Sequence, residues 1–132
     1  MPRGSKVLIV DDDKMLAEMY QERLEIAGFP TVLCSDGEHA LRVIHKENPD
    51  VILLDIMMPH LNGYQTLEAL KSDPDTKDIP VIMLTALMRD FNRGKAVAAG
   101  AADFLIKSEI TPNDAIMAID DVLTRIEELK KY

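Results

Sequence analysis

Four acids, a threonine and a lysine stand where short apolar runs end. Val7-Leu8-Ile9-Val10 leads straight into Asp11-Asp12-Asp13, and Val51-Ile52-Leu53-Leu54 leads into Asp55. Thr85 follows Val81-Ile82-Met83-Leu84, and Lys107 follows Phe104-Leu105-Ile106. Carboxylates gathered in one crevice repel, by roughly 4 kcal/mol for two charges about 4 Å apart at an effective dielectric of 20. Such a cluster takes up protons or binds a cation. Oxygen donors without a nearby His or Cys favour Mg²⁺, which keeps several waters and uses one or two carboxylates plus phosphate oxygens. A hydroxyl, an ammonium and a metal around one carboxylate suit phosphoryl transfer. Asp55 would be the nucleophile, Lys107 and the metal would neutralise the equatorial oxygens, and the Thr85 hydroxyl would donate to one of them. Taken singly, each residue has a plainer role: an Asp triplet is more often a helix cap, and Asp55 could cap a loop. The combination, in chain order at four strand ends, is what chance explains poorly.

Residues at strand ends need strands to hold them. Strands are expected at Val7–Val10, Thr31–Ser35, Val51–Leu54, Val81–Leu84 and Asp103–Ile106. The first, third and fourth are continuously apolar, as in a parallel sheet covered on both faces. Between them lie helical segments. Met15, Leu16, Met19, Leu24 and Ala27 recur at helical spacing before Gly28, which can end a helix. Asp36 can cap a helix through Ala40, Leu41 and Ile44 that stops before Pro49. Tyr64, Leu67 and Leu70 share one face of a third, and Thr111-Pro112 with Asp114 opens the last. Strand–helix alternation with short connections predicts an α/β fold: a five-stranded parallel sheet in a flavodoxin-like, doubly wound three-layer sandwich. In the order 2-1-3-4-5 the switch point lies between strands one and three, the two that end in Asp11–Asp13 and Asp55.

At 132 residues the chain fits one domain able to bury a core without disulfides or a structural metal. The apolar residues, 47% of the total, come in short segments, none near the roughly 20 residues that span a bilayer. Cys34 stands alone in an expected strand, which fits a reducing, cytoplasmic setting. The formal charge of −8 argues against direct nucleic acid binding. His39, His45 and His60 show no ligand spacing with one another and are expected at the surface. Residues 1–5, Met-Pro-Arg-Gly-Ser, look like an expression-tag remnant, which leaves 6–132 as the domain.

With VLIVDDD, VILLDIMMPHLNG, VIMLTA and DFLIK in these positions, the chain resembles a response-regulator receiver domain of two-component signalling. The resemblance covers essentially residues 6–130, and its motifs are specific in combination. It implies that Asp55 accepts a phosphoryl group from a phosphohistidine on a sensor histidine kinase or phosphotransfer protein. It also implies Mg²⁺ held by Asp55, Asp12, Asp11 largely through water, and the backbone carbonyl of Met57. Thr85 and Lys107 would bind phosphoryl oxygens, and Asp13 would cap the helix. The domain would catalyse its own phosphorylation and slowly hydrolyse the product. Thr85 and Phe104 would switch the face of helix four, strand five and helix five for a downstream effector or a second copy, so dimerisation on phosphorylation stays open.

Three departures carry their own expectations. Ser108 stands where the family usually has a proline after the lysine, and a cis Lys107–Ser108 peptide is expected. Met57 and Leu87, two residues past Asp55 and Thr85, are expected to shield an acyl phosphate from water. Ile116, Ile119, Leu123, Ile126 and Leu129 form an apolar stripe on the last helix, read as core packing rather than as a coiled coil. There are three rivals. FMN binding would need a phosphate-cradling loop where Asp11–Asp13 stand. A haloacid-dehalogenase-like phosphatase would use Asp11 as nucleophile in Asp11-x-Asp13, but leaves Asp55 unexplained. A degenerate receiver would act without phosphorylation.

Overall fold

The computed structural model describes residues 4–85 and 93–130. Met1–Arg3 of the expected tag and Leu87 of the expected shield lie outside the described residues. The elements run β1 (Val7–Val10), α1 (Lys14–Ile26), β2 (Thr31–Cys34), α2 (Gly37–Glu47), β3 (Val51–Asp55) and α3 (Gly63–Ser72). They continue with β4 (Val81–Thr85), α4 (Arg93–Ala98), β5 (Asp103–Ile106) and α5 (Pro112–Leu129). All strand pairs are parallel, in the order β2-β1-β3-β4-β5. The expected topology is the observed one.

Two strands are one residue longer than the apolar runs that announced them: Asp55 and Thr85 are the last residues of β3 and β4, not the first beyond them. β2 instead stops at Cys34, one residue short of Ser35. α1, α2, α3 and α5 begin as their caps dictate. Asp13, Asp36, Asn62 and Thr111 accept hydrogen bonds from the backbone N–H groups of Leu16, His39, Gln65 and Asp114. In α3 and α5 a reciprocal bond from Gln65 or Asp114 completes a capping box. α2 ends where Asn48 turns left-handed, with φ 44°, just before Pro49.

The sheet divides the core in two. On one face Ile9, Leu53 and Leu84 pack with Tyr20 and Leu24 of α1 and Ile119 and Leu123 of α5. On the other, Leu8, Leu54 and Met83 meet Ile44 of α2 and Leu67 and Leu70 of α3. Each such side chain contributes about 1.5–3 kcal/mol by leaving water. This apolar burial holds the strand ends, and whatever they carry, in register. The stripe on α5 belongs to this core through Ile119 and Leu123, with Ile116 and Ile126 packed partly against it and Leu129 left exposed.

Cys34 is buried at the end of β2, and burial, with Glu47 and Asp36 adding to it, pushes its thiol up to about 12. So little thiolate makes a poor nucleophile. Iodoacetamide is therefore expected to label the folded protein far more slowly than the unfolded one; equal rates would show that the strand end opens readily.

Candidate functional site

Sheet register alone brings the polar residues together. Val10 pairs with Leu54, so the next positions, Asp11 and Asp55, stand side by side on neighbouring strands. Asp55 pairs with Leu84, which puts Thr85 one step beyond, and Thr85 pairs with Ile106, which puts Lys107 one step further. Parallel strands lie roughly 4.8 Å apart, so the four residues line the carboxyl edge of the sheet across β1, β3, β4 and β5.

Asp11 and Asp55 are 3% and 2% exposed. The Lys107 ammonium donates to Asp11 Oδ2 at 2.9 Å and lies 3.3 Å from Asp55 Oδ1. The second contact is an ion pair without hydrogen-bond geometry, so Asp55 Oδ1 is buried with no hydrogen-bond donor. Asp12 is exposed, and carboxylate oxygens of Asp11, Asp12 and Asp55 all lie within 4.8 Å of one another. Burial raises the Asp55 carboxyl to about 6; Lys107 opposes this, and Asp11 and Asp12 add to it. Burial pulls the Lys107 ammonium down, but its hydrogen bond to Asp11 and the charge of Asp55 win, and its pKa stands above the ordinary lysine value. Among the described residues one ammonium thus pairs with two of the three clustered carboxylates, and one carboxylate oxygen lacks a hydrogen-bond donor. An all-oxygen donor set with surplus negative charge and an unsatisfied buried oxygen fits a hard divalent cation.

The other expected residues fall as follows. Asp13 caps α1 through Leu16, and its own N–H donates to Asp11 Oδ1 at 2.9 Å, which helps to orient that carboxylate. Thr85 is buried at the edge, 2% exposed. Phe104 is half-buried on β5 and packs against the core on the α2–α3 face. Met57 follows β3 with 53% of its surface exposed. Two residues were not anticipated. Gly63 opens α3 with its N–H on the carbonyl of Ile56 at 2.9 Å, and an added Cβ would lie 2.5 Å from the Asp55 carbonyl oxygen. The sequence offered Gly63 as part of the LNG motif without showing this close approach. Tyr20, buried on α1, feels both Lys107 and Asp11, though burial is the main reason its phenol is raised; helical periodicity marked only its apolar neighbours.

The cis Lys107–Ser108 peptide is corrected: among the described residues no peptide bond is cis. Residues 107–109 form a 3-10 turn directly after β5, and Lys107 reaches both carboxylates with a trans bond. Nothing is left to offset the roughly 2.5–4 kcal/mol that a cis bond before a non-proline residue costs. The histidines do stay apart from one another, yet only His45 and His60 are exposed. His39 is half-buried and its Nδ1 accepts from the Ser35 N–H at 3.3 Å.

Comparison with known proteins agrees with this geometry. The family model described as response regulator receiver domain matches residues 7–120. A protein described as "Probable transcriptional regulator ycf27" from Guillardia theta is 42% identical over 120 residues, 91% of this chain and 46% of that protein. The transcriptional regulatory protein CpxR of Escherichia coli is 43% identical over 103 residues, 78% of this chain and 43% of its own. The chain therefore spans about half the length of the curated relatives it matches. Among solved structures, the receiver domain of a Francisella response regulator superposes with a TM-score of 0.83 at 34% identity, covering 92% of this chain and 98% of that one. The receiver domain of a Pseudomonas aeruginosa sensor histidine kinase, which carries a magnesium ion in its active-site cleft, gives 0.82 at 25% identity, covering 92% and 98%. Motifs, topology and relatives converge, and this chain belongs to the response regulator receiver domains, the phosphorylation-activated signalling modules of two-component systems.

Proposed function

We propose that Asp55 is the phosphoacceptor of this receiver and that Asp11, Asp12, Asp55 and the Met57 carbonyl hold Mg²⁺ beside it. The observation that carries this is the buried Asp55 carboxylate, with one oxygen lacking a donor and Lys107 3.3 Å away. The donor would be a phosphohistidine on a sensor histidine kinase or phosphotransfer protein. An Asp55 oxygen forms the new O–P bond as the P–N bond breaks, and the electron pair leaves with the imidazole. Mg²⁺, when bound, offsets charge on the transferring oxygens. Lys107 neutralises a second oxygen, and the Thr85 hydroxyl donates to a third. Moving Thr85 towards the phosphoryl group opens space for Phe104 to turn inward. Having no hydroxyl to satisfy, Phe104 is governed by packing alone. The altered α4-β5-α5 face is then what an effector domain or a second copy reads. The domain is a receiver rather than a turnover enzyme; it catalyses its own phosphorylation and slowly hydrolyses the product. The phosphatase rival fares worse, because Asp13 is exposed and committed to the cap of α1 rather than paired with Asp11 around a substrate.

Intact mass after incubation with Mg²⁺ and acetyl phosphate tests the assignment. One phosphoryl group is expected on the parent protein and none on Asp55→Asn. Equal labelling of both would move the acceptor elsewhere, Asp11 being the first alternative. The Met57 side chain lies beside the path of attacking water, and Met57→Glu is expected to shorten the lifetime of the phosphorylated protein about tenfold or more, in line with what a positioned general base or water-holding group contributes. An unchanged decay rate of the label would show that Met57 does not shield the bond.

A further inference from the structure

α2 and α3 lie side by side against one face of the sheet, and both run back from its carboxyl edge, so their C-terminal ends meet at the end opposite Asp55. There, His45 Nε2 lies 3.0 Å from Asp73 Oδ2 and 4.0 Å from Asp75 Oδ2. The three donor atoms all lie within 4.8 Å of one another, although His45 and Asp73 are 28 residues apart. Asp73 is held in place for this: its Oδ1 accepts from the Asp75 N–H at 2.9 Å, its carbonyl accepts from Thr76 N–H and Lys77 N–H, and Oδ2 is left facing the imidazole. The buried Thr76 hydroxyl ties the same loop to the Leu70 carbonyl at 2.6 Å.

The electrostatics run against a simple solvated surface. His45 stands in the last turn of α2, and Asp73 is the C-cap of α3. Both helices therefore point the negative ends of their dipoles here, where acidic side chains are disfavoured and cations favoured. Lys71, the basic residue in the last turn of α3, spends its ammonium on the carbonyls of Lys77 and Ile79, each at 2.9 Å. Two carboxylates and two helix C-termini thus converge on one imidazole nitrogen. A nitrogen donor with two carboxylate oxygens suits a first-row transition ion rather than Mg²⁺. We propose that His45, Asp73 and Asp75 bind a divalent transition-metal ion of the Zn²⁺ class, with water completing its coordination, at a site separate from the acidic cleft. Bound there, the ion joins α2 to the α3–β4 connection and stabilises the folded state by mass action.

Calorimetric titration of the full chain with ZnCl₂, in excess Mg²⁺ to occupy the acidic cleft, decides the matter. Expected are one bound Zn²⁺ per chain and a higher melting temperature. Affinity should fall by about tenfold or more in His45→Ala and fall in Asp75→Asn, but stay unchanged in His39→Ala and Asp12→Asn. Absence of binding to the parent, or parent-like binding by His45→Ala, would overturn the site. Loss of binding in Asp12→Asn with retention in His45→Ala would place the ion in the acidic cleft and overturn it equally. These readouts do not involve phosphorylation, so they stand or fall apart from the assignment of Asp55.

Discussion

Lys107→Met will destabilise the metal-free domain by about 3 kcal/mol, and excess Mg²⁺ will recover much of the loss. Among the described residues, the Lys107 ammonium is the cation that pairs with both buried carboxylates, at 2.9 Å from Asp11 and 3.3 Å from Asp55. Methionine preserves the length of the stem and removes the charge, leaving two carboxylates at the sheet edge without a counter-ion. Breaking a buried pair costs about 3–5 kcal/mol. The lower figure applies here because Asp55, already raised to about 6, can take up a proton instead of staying charged. Denaturant unfolding with a chelator present, repeated in Mg²⁺, measures both parts. A metal-free midpoint equal to that of the parent would mean that solvent already screens the pair, and Lys107 would then matter only to the phosphoryl group. Phosphorylation of Lys107→Met in the same preparations separates the two roles.

Asp55→Asn is expected to act in the opposite direction on stability while removing phosphorylation. Burial is the main reason the Asp55 carboxyl is raised from 3.8 to about 6 in the folded protein. For a group raised on folding, the unfolded chain releases the proton first. The stability it contributes is complete below about 3.8 and is lost as pH rises through about 6. Above that pH the ionised carboxylate weakens the metal-free fold by at most roughly 3 kcal/mol. Asparagine keeps the shape of the side chain and never ionises, and Lys107 retains its Asp11 partner. In the absence of metal, the variant should therefore match the parent near pH 4 and exceed it by about 2 kcal/mol at neutral pH. Mg²⁺ should shrink that advantage, since only the parent offers the third carboxylate. Parallel stability curves for the two proteins across this pH range would show that Asp55 is solvated as well as an ordinary surface acid.

How a chain prepares such a cluster is visible in part along its length. Uninterrupted apolar runs at Val7–Val10 and Val51–Leu54 can only be strands covered on both faces, and strand–helix alternation leaves few topologies open to them. Caps such as Asp36 and Thr111 announced helix starts because their physics is local: one side-chain oxygen meets one unpaired N–H three residues on. The polar residues at the strand ends were legible for the same reason. Register in a parallel sheet converts position along one strand into position beside the next.

Contacts that depend on distance between remote segments were not legible. Nothing local in HKE or DPDT foretells that His45 and Asp73 lie 3.0 Å apart, because only the packing of α2 beside α3 sets that distance. Family habit suggested a cis peptide at Ser108, whereas the reach of the Lys107 side chain allows the trans bond found. The need for glycine at position 63 came only with the closeness of the Asp55 backbone, which leaves no room for a Cβ. By itself the sequence determined the element order, the sheet topology and which polar residues stand at the strand ends, since these follow from periodicity, capping and register over neighbouring residues. Only the tertiary structure decided how charge is shared among Asp11, Asp55 and Lys107, because burial and Coulomb energies depend on distances that no local pattern encodes.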